Sequence, residues 1–219
     1  ADLLAFNIFE GTLKPAGELA AADRALKGVI SSLISSKEIT GKKNTNVVLH
    51  THGRLRAKYV LVVGCGKRDE FDLESVRLFA SETVKQAKKA RAASVAAFFH
   101  AGDVSGSSPL DVFRSFAEAA FVREYEFPGY KTGKNKEDVF RISEMTMVQS
   151  DPSYIGPCKK ALAVAVVCAE AVNKTRDLVN TPSNMLTPRI FSLKAKEVCA
   201  RNKLSIKVLD APAIKKMGM

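Results

Sequence analysis

Tryptophan is absent, histidine occurs three times and cysteine four times in 219 residues. Cys65, Cys158, Cys168 and Cys199 form no pair with zinc-type spacing and nothing else suggests a disulfide framework, so reduced thiols in a cytosolic protein are expected. Long hydrophobic runs are missing too. The longest, from Ala161 to Ala169, is fenced by Lys160 and Glu170 and falls well short of the roughly 20 residues that cross a bilayer. This excludes a membrane-spanning helix. The stretch from Ala1 to Phe9 has no basic n-region, which argues against a signal peptide and reads as a first β-strand. There is no internal repeat and no low-complexity tract. What is present, 46% hydrophobic residues over this length, fits one ordinary domain and part of another.

The net charge is +11, spread unevenly: twelve Lys/Arg face five Asp/Glu from Asp151 onward, leaving twenty-two against eighteen before it. A basic surface gains affinity for nucleic acid by releasing counterions from phosphates. The plainer reading, and the preferred one, is a larger protein whose other part carries the balancing acids.

Strand signals recur at intervals filled by helical patterns, the βαβ alternation of an α/β sheet. The expected strands are Leu3 to Phe9, Asn46 to Leu49, Tyr59 to Val63, Ser94 to Phe99 and Phe140 to Val148. Helices are expected from Ala16 to Ser35, after Asp72, and from Pro109 to Tyr125. Asp72 can accept hydrogen bonds from the free amides of a first turn, and Lys85, Lys88, Lys89 and Arg91 crowd the far end, where the helix dipole favours cations. A polar loop around Ser150 marks a boundary. The Ala-rich stretch 161–172, apolar nearly all round, suits a helix between two bodies of protein. Thr187 and Pro188 then open a helix to about Asn202, followed by a strand, Leu204 to Leu209, and a short helix, Pro212 to Met217.

Gly64-Cys65-Gly66-Lys67 follows a strand and precedes a helix, where phosphate-binding loops sit, yet it lacks both the third glycine of a dinucleotide fingerprint and the spacing of a P-loop. A plain strand-to-helix turn is the better account. His50 and His52 would share one face of an extended segment, but no third metal ligand is evident nearby and structural histidines are preferred. His100 closes a strand before Ala101-Gly102-Asp103, a place where α/β sheets often hold ligands; Asp103 is a ligand-contact candidate alongside Gly64 and Gly66, against ordinary turn chemistry. Cys65 has no evident base beside it and reads as a structural thiol. The run from Lys131 to Lys136 reads as a solvated or intersubunit loop.

Several segments in order carry a resemblance. Leu55 to Lys67 is similar to a strand and turn of the cytosol leucyl aminopeptidase family, and Phe127-Pro128-Gly129-Tyr130-Lys131-Thr132 to one of its loops. Arg176-Asp177-Leu178-Val179-Asn180-Thr181-Pro182-Ser183-Asn184 with Leu186-Thr187-Pro188 resembles its R-x-L-x-N-x-P-x-N-x-L-T-P signature, and Leu209-Asp210 with Lys215 to Met219 resembles the segment after it. The resemblance implies an α/β fold: a macro-like amino-terminal domain (1–150) with a mixed, mostly parallel sheet flanked by helices, a long linker helix (151–179), and the first elements (180–219) of an incomplete second α/β domain. It implies a cytoplasmic homohexamer that removes amino-terminal residues, preferably leucine, from peptides. Two divalent ions, zinc with manganese or magnesium exchange, would polarise the carbonyl and activate a water.

None of the family's catalytic or metal-binding positions has a counterpart here. Asn180-Thr181 is followed by Pro182, so it is not the family's N-T-D-A-E-G-R segment. Glu170, Asp177, Glu197 and Asp210 are too dispersed to converge on two metals about 3.5 to 4 Å apart. The chain is therefore expected to be structural, stopping short of its metal ligands, with no catalytic residue, metal ligand or cofactor of its own. Two other readings stay open: a nucleic-acid-binding module, and a macro-like pocket for a nucleotide such as ADP-ribose.

Overall fold

A computed structural model describes residues 1–99, 104, 106–127, 129, 140–148 and 152–219. The chain divides into two units, Ala1–Asn173 and Lys174–Met219. The first contains β1 (Leu3–Ile8), α1 (Gly17–Ala25), α2 (Val29–Ser35), β2 (Asn46–His50), β3 (Tyr59–Gly64), α3 (Leu73–Lys89), β4 (Ser94–Phe98), α4 (Pro109–Glu124) and β5 (Glu144–Val148). Its sheet runs β2-β3-β1-β4-β5. β1 is parallel to both β3 and β4, and β5 is parallel to β4. β2 is antiparallel to β3, because segment 51–58 is too short for the crossover that a parallel neighbour needs.

The central strands are apolar on both faces, as expected of strands covered by helices on both sides. Leu3, Ala5, Leu61, Val63, Val95 and Ala97 pack with Phe79 of α3 and with Phe113 and Phe116 of α4. The alternate residues Phe6, Ile8, Val60 and Val62 meet Leu19 of α1 and Ile30 and Ile34 of α2. The two-residue period thus supplies both cores from the same strands.

The helix starts follow their caps. Asp72 Oδ1 accepts from Ser75 N (2.8 Å), and Ser108 Oγ accepts from Asp111 N (3.2 Å) with Pro109 in the first turn. The single helix expected from Ala16 to Ser35 is instead two. Lys27 (φ 59°) and Gly28 (φ 82°) turn left-handed, and the buried Asp23 carboxylate starts the second helix by accepting from Ile30 N (2.8 Å), Ser31 N (3.1 Å) and Ser31 Oγ (2.5 Å). The strand expected from Phe140 begins only at Glu144, the residue that pairs with Ser94 at the start of β4; just upstream, Ile142 N donates to Glu124 Oε1 rather than to a ladder.

α5 (Ile155–Asn180) buries Ala165 and Ala169 and exposes Val164, Val167 and Val172; the division between the units falls within it. In the second unit, α6 (Pro188–Arg201) is capped by Thr187 and α7 (Ala211–Lys216) by Asp210, whose Oδ1 accepts from Ala213 N (2.9 Å). The expected strand from Leu204 to Leu209 does not form. Residues 204–210 have no regular structure, since among the described residues no strand pairs with them to supply the ladder hydrogen bonds that hold a β-strand. His100, Asp103 and the loop from Lys131 to Lys136 lie outside the described residues.

Candidate functional site

The parallel strands end on a common edge, with Ile8 beside Gly64 and Phe6 beside Phe98. Open α/β sheets hold ligands at such carboxyl ends. Here the edge is stitched to its own loops. Cys65 N donates to Ile8 O (2.9 Å), Glu10 N to Gly66 O (2.8 Å), Gly66 N to Gly41 O (2.8 Å) and Gly64 N to Thr45 O (2.8 Å). A Cβ at Gly64 would collide with the Lys42 carbonyl and the Thr45 hydroxyl. Gly66 has φ +80° and carries the aliphatic stem of Lys43 on its surface. Both glycines therefore serve close packing and turn geometry, which accounts for them without a phosphate.

The open space nearby is small. A cleft of about 70 Å³ lies between Lys43, Gly64, Cys65, Ser81 and Glu82. At the topological switch between β1 and β4, a recess of about 120 Å³ is lined by Asn7, Phe9, Thr12, Gly17, Arg68 and Phe99, with the Arg68 guanidinium 4.4 Å above the Phe9 ring. Small-molecule sites usually occupy about 300 to 1,000 Å³.

Cys65 is buried, and desolvation pushes its thiol up to about 12, only partly offset by the hydrogen bond involving Ile8. A thiol held protonated is a poor nucleophile. The two histidines are brought together at the end of β2, with ring centroids 4.5 Å apart, but not as metal ligands on one strand face. His52 turns left-handed (φ 49°) and donates its backbone N–H to His50 Nδ1 at 2.9 Å, while His50 meets Tyr59 edge-on at 5.3 Å.

Among the described residues, no three of His, Cys, Asp and Glu converge as a metal site. Asp2, Asp23, Asp72 and Asp210 all accept from backbone amides, at the start of a strand or a helix. This donor set does not fit a two-metal centre, which needs several converging oxygen ligands. No helix among the described residues is long and apolar enough to cross a membrane. The structure also brings out Asp2, which joins the starts of β1, β3 and β4. No local sequence signal marks it, because Ala93 and Ser94 are 91 and 92 residues away and Lys58 lies far along the chain as well.

Fold and edge together define an α/β domain with a mixed five-stranded sheet between helices, in which loop 41–45 packs against Gly64 and Gly66 after β3. The family description "Cytosol aminopeptidase family, N-terminal domain" matches residues 5–134. A probable cytosol aminopeptidase of Alkaliphilus oremlandii is 30% identical over 219 residues, all of this chain and 44% of the relative. One from Geobacter sp. (strain M21) is 33% identical over 197 residues, 90% of this chain and 39% of the relative. Among solved structures, a tomato leucine aminopeptidase mutant superposes with TM-score 0.79 at 20% identity, covering all of this chain and 43% of that one. The bottromycin maturation enzyme BotP in complex with Mn gives 0.72 at 22% identity, covering all of this chain and 40% of that one. The chain belongs to the cytosol aminopeptidase family. It spans less than half the length of these relatives.

Proposed function

We propose that the chain is the amino-terminal domain (1–150), linker helix (151–179) and first catalytic-domain elements (180–219) of a leucyl aminopeptidase that removes amino-terminal residues, preferably leucine, from peptides in the cytoplasm. Two divalent ions, zinc, manganese or magnesium, serve the intact enzyme, which assembles as a homohexamer. The role of this segment is structural. The observation that carries the reading is the family match across residues 5–134, extended in order through the second unit by relatives aligned over the whole chain. The dispersed, amide-bound carboxylates support a scaffold rather than a catalyst.

The test is hydrolysis of leucine p-nitroanilide by the 219-residue chain with zinc or manganese. No turnover above the metal blank is expected. A rate like that of a whole aminopeptidase would overturn the structural role while leaving the family membership intact.

A further inference from the structure

Beside β5, on the side of the sheet covered by α3 and α4, the packing leaves an apolar recess of about 270 Å³ within the first unit. Val84, Phe116, Met145 and Met147 wall it, and Phe121 and Leu162, 43% and 38% exposed, stand at its rim. Two small residues set its size. Ala117 and Ala120 are buried on the face of α4 that lines it, where a leucine would occupy the space. Interiors keep few voids larger than a water, and apolar space that side chains do not fill lowers stability. Such cavities exclude water and take up apolar molecules, and methionines adapt to an occupant.

One polar atom at the recess is buried without a donor. Glu124 Oε1 accepts from Ile142 N (3.2 Å), whereas Glu124 Oε2 has no hydrogen-bond partner among the described residues. Lys88 Nζ stands 3.5 Å from Oε2 as an ion pair, but it donates to Glu124 O (3.1 Å) and Glu126 Oε1 (2.7 Å). Of the other polar side chains at the lining, Ser143 Oγ donates to Ala93 O (2.9 Å) and Glu144 is exposed. A buried acceptor of this kind gains from any donor brought to it.

We infer that this recess binds a compact, uncharged aromatic molecule with a single N–H or O–H donor, its ring against Phe116, Met145 and Met147 and its donor directed to Glu124 Oε2. The inference is independent of the peptidase reading. A volume just under the usual range for small-molecule sites sets the ligand at one or two fused rings rather than a nucleotide. Phe116 and Phe121 suit ring contacts, and methionine sulfur favours ring edges. An anion would meet Glu124, Glu126 and Glu144 against the one Lys88, and a cation would lose its hydration against apolar walls. Most of the apolar lining is sunk below the surface. Phe121 and Leu162 are its large exposed residues, too little for a protein interface.

The test is a methyl NMR titration of the full chain, labelled at its methionines, with indole and with benzofuran, the isostere that lacks the donor. Indole should shift the Met145 and Met147 methyls saturably and leave those of Met185, Met217 and Met219 in place. Benzofuran should bind the same recess roughly tenfold more weakly, the loss of a hydrogen bond to a charged acceptor. Ala120→Leu, which fills the recess, should weaken indole binding at least about tenfold. Glu124→Gln keeps an acceptor for Ile142 N but turns an amide NH₂ toward the ligand, so the two probes should bind within about twofold of each other. That variant and the two-probe comparison in the parent chain decide the matter even if Ala120→Leu does not fold. Four results would overturn the inference: no shift of Met145 and Met147 by about 2 mM indole, equal shifts of all the methionines, equal binding of indole and benzofuran by the parent chain, or tighter binding of a tryptophan-containing peptide than of indole, which would make the recess a peptide pocket.

Discussion

Asp2 and Ser94, 92 positions apart, are joined in both directions: the Asp2 amide donates to the Ser94 carbonyl (2.8 Å) and hydroxyl (2.9 Å), while the Asp2 carboxylate accepts from the Ser94 amide and hydroxyl (both 3.0 Å). Ala93 N adds a third donor to that carboxylate at 3.1 Å, and Lys58 approaches from the β3 side. Replacing Asp2 by Ala should cost about 1 to 3 kcal/mol in urea denaturation at neutral pH, the range for losing charge-assisted hydrogen bonds. The Ser94 amide and hydroxyl hold the Asp2 carboxyl below its ordinary 3.8. Its contribution is therefore complete above that value and is lost as pH falls through the depressed one. The gap between parent and Asp2→Ala should close over that acid range; a gap unchanged by acid would show that the carboxylate is not its source.

Asp72 opens α3, and the Ser75 amide, then its hydroxyl, lower its pKa. Asp72→Ala should cost about 1 kcal/mol by thermal or urea unfolding, whereas Asp72→Asn, which keeps the acceptor, should recover most of it. Equal losses in both would mean that the cap contributes through charge alone.

Gly64 and Gly53 separate two reasons for glycine. Gly64 faces backbone at contact distance, whereas Gly53 has φ +77° and open space around its missing side chain. Gly64→Ala should cost about 1 to 3 kcal/mol through overpacking, and Gly53→Ala about 1 to 2 kcal/mol through left-handed strain. A heavier distinction is kinetic access: Gly64→Ala should also speed hydrogen exchange at Gly66 and Thr45, whose loops it pushes apart, and Gly53→Ala should not. Identical exchange in the two variants would contradict the packing argument.

Cys65, with its raised pKa, should resist alkylation in the native chain, while the partly exposed Cys158, Cys168 and Cys199 react first. Mass spectrometry of peptides after iodoacetamide treatment at pH 8 distinguishes them. Early labelling of Cys65 would mean that the β3 edge opens readily.

The α/β alternation was legible because apolar runs of strand length alternate with capped, periodic helices; Asp72 and Thr187 announced α3 and α6 from three residues of local chemistry. Gly28 was visible too, but a single glycine is tolerated inside a helix, and only the Asp23 bond to Ile30 shows that the chain restarts there. The segment from Leu204 to Leu209 carries strand-like residues, yet strand formation depends on a neighbour, which no local pattern supplies. The antiparallel setting of β2 and the role of Asp2 both depend on which strands lie side by side. Gly64 and Gly66 were legible as a turn; that loop 41–45 fills the space beside them was not.

β1, first in sequence, lies third in the sheet, between β3 and β4. It cannot be flanked on both sides until Phe98 has been synthesised, so the growing polypeptide must carry an unsatisfied, strongly apolar strand through most of the domain's translation. Such long-range closure slows folding. It also makes Leu3–Ile8 the keystone of the sheet, and deleting that strand would split the sheet into two halves.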